Sequence, residues 1–489
     1  MGGDISRARG SRLRRARRVR AERALGWLLQ DDRWVLVYVA GIAAMLGTFS
    51  FLHHGGVAVG VGHLCLWASA ATALGVVAPI MLFAGASLAG KRTDGASRDA
   101  GLPAHSGFPH FLVIIPAYDE VKVISNSVQS LFAQDYPRDR YTVVVAFNGT
   151  DGTGALAAAL GARVIETPRP GVGKVAAIQY VLDRVPAQAA RYICVFDADN
   201  VVAADFLWRM AGHLTRSGAR AVQGHHRVLI AKDNWISRGL GAAYAASSRL
   251  YNPGRSRLLR SALLCGTGFC IAEPVFRALW PRLRTQTEDI ELNALLELHY
   301  GAGVEWAAEA SFYDEKPDRL RIALRQRVRW MVGHLRTCRL YTPTLIRRFL
   351  ATGSWRALEL AFYYTVPLVL FASALWLYVL IPGSAFQVFH LAGTSRAASF
   401  AWSAAVGVYT LGLPFAGRLL ESEDVAGRTL LIAARDSVYA MLFALIVWPL
   451  AIVLAVLLAA RTDWIFHTPH HARPQALDHA GQSERIANE

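Results

Sequence analysis

Charge is scarce in this chain, and negative charge most of all. Charged residues make up 18% of 489, and 36 Asp and Glu stand against 52 Lys and Arg. Hydrophobic residues make up 53% and mean hydropathy is +0.28. So apolar a composition excludes an ordinary soluble enzyme and points to membrane segments. Cysteine is sparse too: Cys65, Cys194, Cys265, Cys270 and Cys338 show no CxxC spacing. That excludes a zinc ribbon, and the reading is a reduced, cytoplasmic-facing protein without a disulfide framework. Lysine is rare, and the net charge of +16 is nearly all arginine. No basic stripe interleaved with aromatics accompanies it, so a nucleic-acid partner is not expected. Anionic lipid heads and nucleotide phosphates account for the charge better.

What is present falls into blocks. Residues 1–30 form an Arg-rich cytoplasmic end. A signal peptide would follow such an end with a short apolar run and a small-residue cleavage site. Here the runs from Trp34 to Phe51 and from Val61 to Leu88 are longer, so 31–90 reads as two transmembrane helices. Residues 91–109 are a polar, Gly/Pro-rich linker, and 110–318 are the catalytic block. Segment 319–352 is an Arg-rich amphipathic stretch at the interface. Segment 353–462 holds about three further spans (357–381, 397–417 and 437–460), and 463–489 is a polar tail.

Inside the catalytic block, apolar runs alternate with helical periodicity. Strands are expected at 111–116, 141–147, 163–166 and 191–196, with helices at 153–160, 174–185 and 203–214. Ile124, Val128 and Leu131 recur at helical spacing. The fold class is therefore α/β, a doubly wound and mostly parallel sheet, with transmembrane helices attached. Such sheets bind ligands beyond the carboxyl ends of their strands. Three polar groups fall there: Tyr118-Asp119-Glu120, Asn148-Gly149-Thr150-Asp151 and Asp197-Ala198-Asp199.

Each motif alone also has a plain reading. Paired aspartates suit a hard divalent cation on phosphate oxygens, or a solvated turn. Gly171-Val172-Gly173-Lys174 cradles phosphate, or Lys174 is a surface lysine; Pro168 and Val175 exclude a Walker A loop. Gly266-Thr267-Gly268 admits a ligand close to the backbone, or is a tight turn. Thr287-Glu288-Asp289 opens a helix, as an N-cap with first-turn acids would. Gln326-Arg327-Val328-Arg329-Trp330 reads by itself as an interfacial helix with a Trp anchor. His225-His226, after a predicted strand, and His467, His470 and His471 lack acid or cysteine partners at ligand spacing and are not read as metal sites.

Together these motifs, in this order, resemble a membrane-embedded inverting glycosyltransferase of family 2, the group of cellulose, chitin, hyaluronan and poly-N-acetylglucosamine synthases. The matching segments begin with Pro116-Ala117-Tyr118-Asp119-Glu120 and end with Gln326-Arg327-Val328-Arg329-Trp330. The resemblance implies a GT-A type domain. It implies that Pro116, Tyr118, Glu120, Asn148, Asp151, Lys174 and Asp197 line the donor nucleotide site. Asp197 and Asp199 would hold Mg²⁺ or Mn²⁺, and Asp289 would be the general base. Gly268, Glu288, Gln326, Arg329 and Trp330 would serve acceptor and diphosphate. Two features depart from the pattern. Phe147-Asn148 stands where many relatives have Asp-Asp, and His467 stands in Trp464-Ile465-Phe466-His467-Thr468 where some have Lys.

The expected function is transfer from a UDP-sugar, with UDP-N-acetylglucosamine or UDP-glucose first, to a growing β-linked polysaccharide passed through the spans. The alternative is a single transfer to a lipid acceptor. The expected setting is a bacterial cell membrane, crossed several times, with the catalytic domain in the cytoplasm. Accessory subunits are not legible in the sequence.

Overall fold

A computed structural model of the chain describes residues 78–89, 108–187, 190–229, 233–365, 407–421 and 427–458. All belong to one compact unit made of 68–373 and 396–489. The segment before 78, the tail after 458 and most of the expected spans lie outside the described residues.

Eight strands form one sheet: β1 (Phe111–Ala117), β2 (Tyr141–Phe147), β3 (Arg163–Glu166), β4 (Tyr192–Val195), β5 (Val201–Val202), β6 (Ala221–Leu229), β7 (Phe269–Ala272) and β8 (Glu305–Glu315). Their order is β3-β2-β1-β4-β7-β6-β8-β5. The helices are α1 (Ala78–Ala89), α2 (Ile124–Phe132), α3 (Thr153–Ala159), α4 (Lys174–Leu182), α5 (Phe206–Ser217) and α6 (Trp235–Ala246). They continue with α7 (Asn252–Leu259), α8 (Glu273–Leu279), α9 (Glu288–Tyr300), α10 (Leu320–Thr352), α11 (Leu413–Glu421) and α12 (Gly427–Leu458).

Alternation along β1 explains the layering. Leu112 and Ile114 point to one face, with α4, α8 and α9 against them; Ile178, Phe276 and Leu292 are buried there. Phe111, Val113 and Ile115 point to the other, against α2 and α5, with Val128, Leu131 and Phe206. A strand covered on both faces reads as an unbroken apolar run.

The expectation of a mostly parallel sheet holds for half of it. β1 pairs in parallel with β2 and β4, and β2 with β3. Beyond β4 the sheet is mixed: β7 runs antiparallel to both β4 and β6, β6 runs parallel to β8, and β5 is antiparallel to β8. The reversal begins at Gly266 and Gly268, whose φ of 81° and 63° are left-handed. Gly268 also has no room for a side chain: a Cβ there would sit 2.0 Å from the Phe312 ring. Only glycine turns the chain there at low cost.

The expectation of a chain without disulfides is corrected by the same reversal. Cys194 on β4 faces Cys270 on β7, with Cα atoms 4.2 Å apart, and the two are joined as a disulfide. Antiparallel pairing, not sequence spacing, makes them neighbours. Cys265 and Cys338 are free thiols.

Among the described residues one helix is long and apolar enough to cross a membrane. This is Leu430–Ala455 within α12, of 26 residues and mean hydropathy 2.5. α1 is apolar but has only 12 residues.

Candidate active site

The parallel pairing of β1 with β2 and β4 puts three loops on one edge. Ala117 pairs with Phe147, so Tyr118 and Asn148 leave their strands side by side, and Phe196-Asp197 follows β4 next to them.

The first two loops hold each other. Asp119 has a left-handed φ of 53°, and its Oδ1 accepts from the Thr150 amide at 2.6 Å and the Asp151 amide at 3.1 Å. Asp151 Oδ1 accepts from the Thr153 amide at 2.9 Å, at the start of α3, and Oδ2 from the Val121 amide at 3.3 Å. Thr153 Oγ1 accepts from the Glu120 amide at 2.8 Å. Asp119 is thus a structural key that the sequence reading did not single out. Asn148 is buried. Its Nδ2 donates to the Ala117 carbonyl at 3.1 Å, while its Oδ1 has no hydrogen-bond partner. Buried acceptors rarely stay unsatisfied, so this oxygen marks a place for a donor on a ligand.

The paired aspartates are set by Asn200, which is fully buried. Its Oδ1 accepts from the Asp197 amide at 3.1 Å and its Nδ2 donates to Asp199 Oδ1 at 3.0 Å. Thr267 Oγ1 donates to the same Asn200 oxygen and accepts from the Asp197 amide. This ties Asp197-Ala198-Asp199 to Gly266-Thr267-Gly268. Under that loop lies Gln223 of β6, also fully buried. Its Nε2 donates to the carbonyls of Thr267 and Gly268 at 2.9 and 3.1 Å, and its Oε1 accepts from the Cys265 amide. Neither Asn200 nor Gln223 stood out in the sequence as more than a turn or strand residue, because the role of each depends on loops far away in the chain.

Lys174 gathers the site. Its Nζ lies 2.8 Å from Asp197 Oδ1, 2.8 Å from Glu288 Oε1 and 2.6 Å from the Gly266 carbonyl. The surface-lysine reading is thereby overturned. Burial works against the ammonium, but Asp197 and Glu288 outweigh it and hold its pKa above the usual lysine value. Beside Glu288, half-buried Asp289 is pushed up to about 7. Burial is the main cause and the Glu288 charge the second; Lys174 and the backbone amides of Asp289 and Ile290 pull the other way. A Cβ on Gly266 would lie 3.4 Å from Asp289 Oδ2, so the loop with two left-handed glycines borders this carboxyl.

Gln326, Arg329 and Trp330 lie half-buried on α10. One turn on, Gly333 packs on Thr287; a Cβ there would meet Thr287 Oγ1 at 2.5 Å. That contact brings the α10 motif to the N-terminus of α9, where Glu288 and Asp289 sit. Arg327 between them is buried, with its guanidinium 4.0 Å from the Trp330 ring centroid.

The donor set on the rim fits a hard divalent cation. Glu120 is pushed up to about 9, first by burial and then by repulsion from Asp199, Asp197, Asp151 and Asp119. Carboxylates crowded to that degree are an oxygen-rich site with surplus negative charge. Two aspartates leave further coordination positions to phosphate oxygens and water. Among the described residues no group of three or more His, Cys, Asp or Glu forms a metal cage. The two histidines lie inside β6 rather than after it. His226 Nε2 lies 3.1 Å from Asp314 Oδ2 and His225 Nε2 lies 3.5 Å from Glu421 Oε2, in ion-pair clusters.

Comparisons with known proteins bear on this assembly. Residues 109–333 match the pattern described as glycosyltransferase like family 2. A probable glycosyltransferase, YdaM, of Bacillus subtilis (strain 168) is 25% identical over 237 residues, 46% of this chain and 55% of that protein. A β-monoglucosyldiacylglycerol synthase of Synechocystis sp. is 30% identical over 203 residues, 39% of this chain and 41% of that protein. The chain thus spans about half the length of the curated relatives it matches. Among solved structures, the mannosyltransferase PcManGT of Pyrobaculum calidifontis, in complex with GDP-Man and Mn²⁺, aligns with a TM-score of 0.46. It is 17% identical, and the alignment covers 78% of this chain and 99% of that one. The motif order and the rim site agree with that match: residues 109–333 are similar to family 2 glycosyltransferases and carry the rim site on a mixed α/β sheet.

Proposed function

We propose that the chain transfers one sugar from a UDP-sugar to the hydroxyl of a membrane lipid, with inversion at the anomeric carbon. The observation that carries this reading is the Lys174 bridge between Asp197 and Glu288. One ammonium links the residues suited to a diphosphate with the residues suited to a base.

In this reading the nucleoside lies along Pro116, Tyr118, Glu120, Asn148 and Asp151. The unpaired Asn148 Oδ1 accepts from a base N–H. Asp197 and Asp199 would hold Mg²⁺ or Mn²⁺, which would supply charge neutralisation for the donor diphosphate. Asp289 takes the proton from the acceptor hydroxyl, and its pKa near neutrality suits that task. The hydroxyl oxygen attacks the anomeric carbon from the face opposite the diphosphate. The bond to the diphosphate oxygen breaks and its electron pair leaves with UDP. Lys174, Arg329 and Gln326 stabilise the departing charge, and Gly268 lets substrate approach the backbone. Trp330 offers a face to the acceptor, and Glu288 orients Lys174. An α-linked donor then gives a β-linked product.

The choice of a lipid acceptor rests on the relatives described as β-monoglucosyldiacylglycerol synthases. The membrane setting, with the catalytic domain on the cytoplasmic side, is part of the same proposal and rests on the apolar α12 and the apolar runs outside the described residues.

The test is UDP release by the purified full chain with Mn²⁺ or Mg²⁺ across a panel of UDP-sugars, with the product analysed by size. A single-sugar lipid product is expected. A long polymer would replace the lipid acceptor with a polysaccharide. Unchanged turnover in Asp289→Asn would remove Asp289 as the base.

A further inference from the structure

We propose that a basic cleft at the end of α9 remote from Asp289 binds the phosphate of an anionic lipid headgroup. The cleft, of about 460 Å³, lies where the C-terminal ends of α7, α9 and α10 meet. Arg257, Arg260, Arg348 and Arg356 line it, against the single carboxylate of Glu297.

Part of this charge serves the fold. Arg356 donates from Nε to Glu297 Oε2 at 2.9 Å and from Nη2 to the Gly301 carbonyl at 2.6 Å, just past α9. Arg257 Nη1 donates to the carbonyls of Ala86 and Ser87 near the end of α1 at 2.9 and 2.6 Å. Cations at helix C-termini are favourable, so these two need no ligand to explain them. The other two differ. Arg348 Nε is buried without a hydrogen-bond acceptor and lies 4.0 Å from Glu297 Oε1. Arg260 is exposed on a left-handed backbone with φ of 51°, and no hydrogen bond or ion pair among the described residues holds its guanidinium. The cleft therefore keeps guanidinium donors that neither helix capping nor Glu297 satisfies. Planar forks of this kind match phosphate oxygens.

The surroundings select a lipid as the source of the phosphate. Trp355 on the lip is 66% exposed and nearby Leu350 is 75% exposed. α1, tied to the cleft by Arg257, is apolar along its length and exposes Leu82 and Leu88. Arginine beside exposed tryptophan and leucine is the pattern of the headgroup level of a bilayer. α9 has 13 residues, which separates this cleft from Asp289 by about 18 Å. A lipid bound here is not the acceptor in reaction; it seats the domain on the membrane.

The test uses the full chain purified in detergent and incubated with equimolar phosphatidylglycerol and phosphatidylcholine, with retained lipid counted by mass spectrometry. Phosphatidylglycerol should be retained over phosphatidylcholine by roughly tenfold or more, the size expected from two arginines at a membrane surface. The preference should fall to parity in Arg260→Gly/Arg348→Gln, where glycine suits the left-handed backbone. It should persist in Arg260→Lys, which keeps the charge. Donor-dependent UDP release by the double variant, little changed, confirms that it is folded. Glycerol phosphate and inorganic phosphate in millimolar excess should leave lipid retention unchanged. The proposal is overturned by equal retention of both lipids, or by a preference that survives the double substitution. Displacement by glycerol phosphate or inorganic phosphate would also overturn it, since the cleft would then be a soluble-anion site.

Discussion

At Asp289 the proposed base and the charges that tune it sit side by side. Burial and Glu288 raise its pKa to about 7 while Lys174 lowers it; Cys265 and Tyr363 also lie within electrostatic reach. A base must be unprotonated to work. Hence kcat/KM should climb with pH, about tenfold per unit, until it levels near pH 7. Removing Lys174 removes a positive neighbour, so Lys174→Gln should move that limb to higher pH. A flat profile down to pH 5 would show that another group takes the proton. Asp289→Asn should lower kcat by about two to four orders of magnitude with little change in donor KM. The rim carboxylates make a separate prediction. Chelation of divalent ions should abolish turnover and Mn²⁺ should restore it. Asp199→Asn should raise the Mn²⁺ needed for half-activity, and an unchanged requirement would take Asp199 out of the metal site.

Among the elements, α10 has the clearest positioning role. Its Gly333 meets Thr287 so closely that an added methyl would sit 2.4 Å from Thr287 Cγ2. Gly333→Ala should push α10 away from the N-terminus of α9, at a cost of about 1–3 kcal/mol. Turnover should fall as well, because Gln326, Arg329 and Trp330 ride on the same helix. Thermal melting and UDP release measure the two effects; a variant with normal stability and normal rate would mean that α10 does not set the site. The contrast between β1 and β6 shows what a sequence discloses. β1, β2 and β4 are legible because strands covered on both faces are apolar runs, and their rim motifs follow directly. β6 is equally covered but contains Gln223, Gly224, His225 and His226, all nearly or fully buried. Polar residues satisfied by partners elsewhere in the chain look like surface residues until those partners are known. The same holds for Lys174, whose acids lie on two other elements, and for Cys194 and Cys270, which are 76 residues apart. Local periodicity encodes the elements, whereas the closure of the site depends on long-range pairing.

For the molecule as a whole, α11, which follows the sheet in the chain, is keyed into it through Glu421 at its C-terminal end. Its Oε1 lies 2.6 Å from Arg227 Nε, and its Oε2 lies 2.6 Å from Arg249 Nε and 3.5 Å from His225 Nε2. His225 and Arg227 belong to β6, the strand that also carries Gln223 under the Thr267-Gly268 loop. One carboxylate thus links α11 to the strand that supports the Thr267-Gly268 loop. With only 11% of its side chain exposed, Glu421 is shielded from water, and its loss would leave two arginines without their carboxylate. Breaking a buried pair from one side costs about 3–5 kcal/mol. Glu421→Gln should therefore lower the melting temperature by several degrees and reduce turnover, although it lies far from the rim. A double variant, Glu421→Gln with Arg227→Gln, should recover part of the stability, because one fewer guanidinium then lacks the Glu421 carboxylate. If the single variant melts and turns over like the parent, the link between helices and sheet lies elsewhere. If it melts lower but keeps full turnover, β6 holds its loop without help from α11.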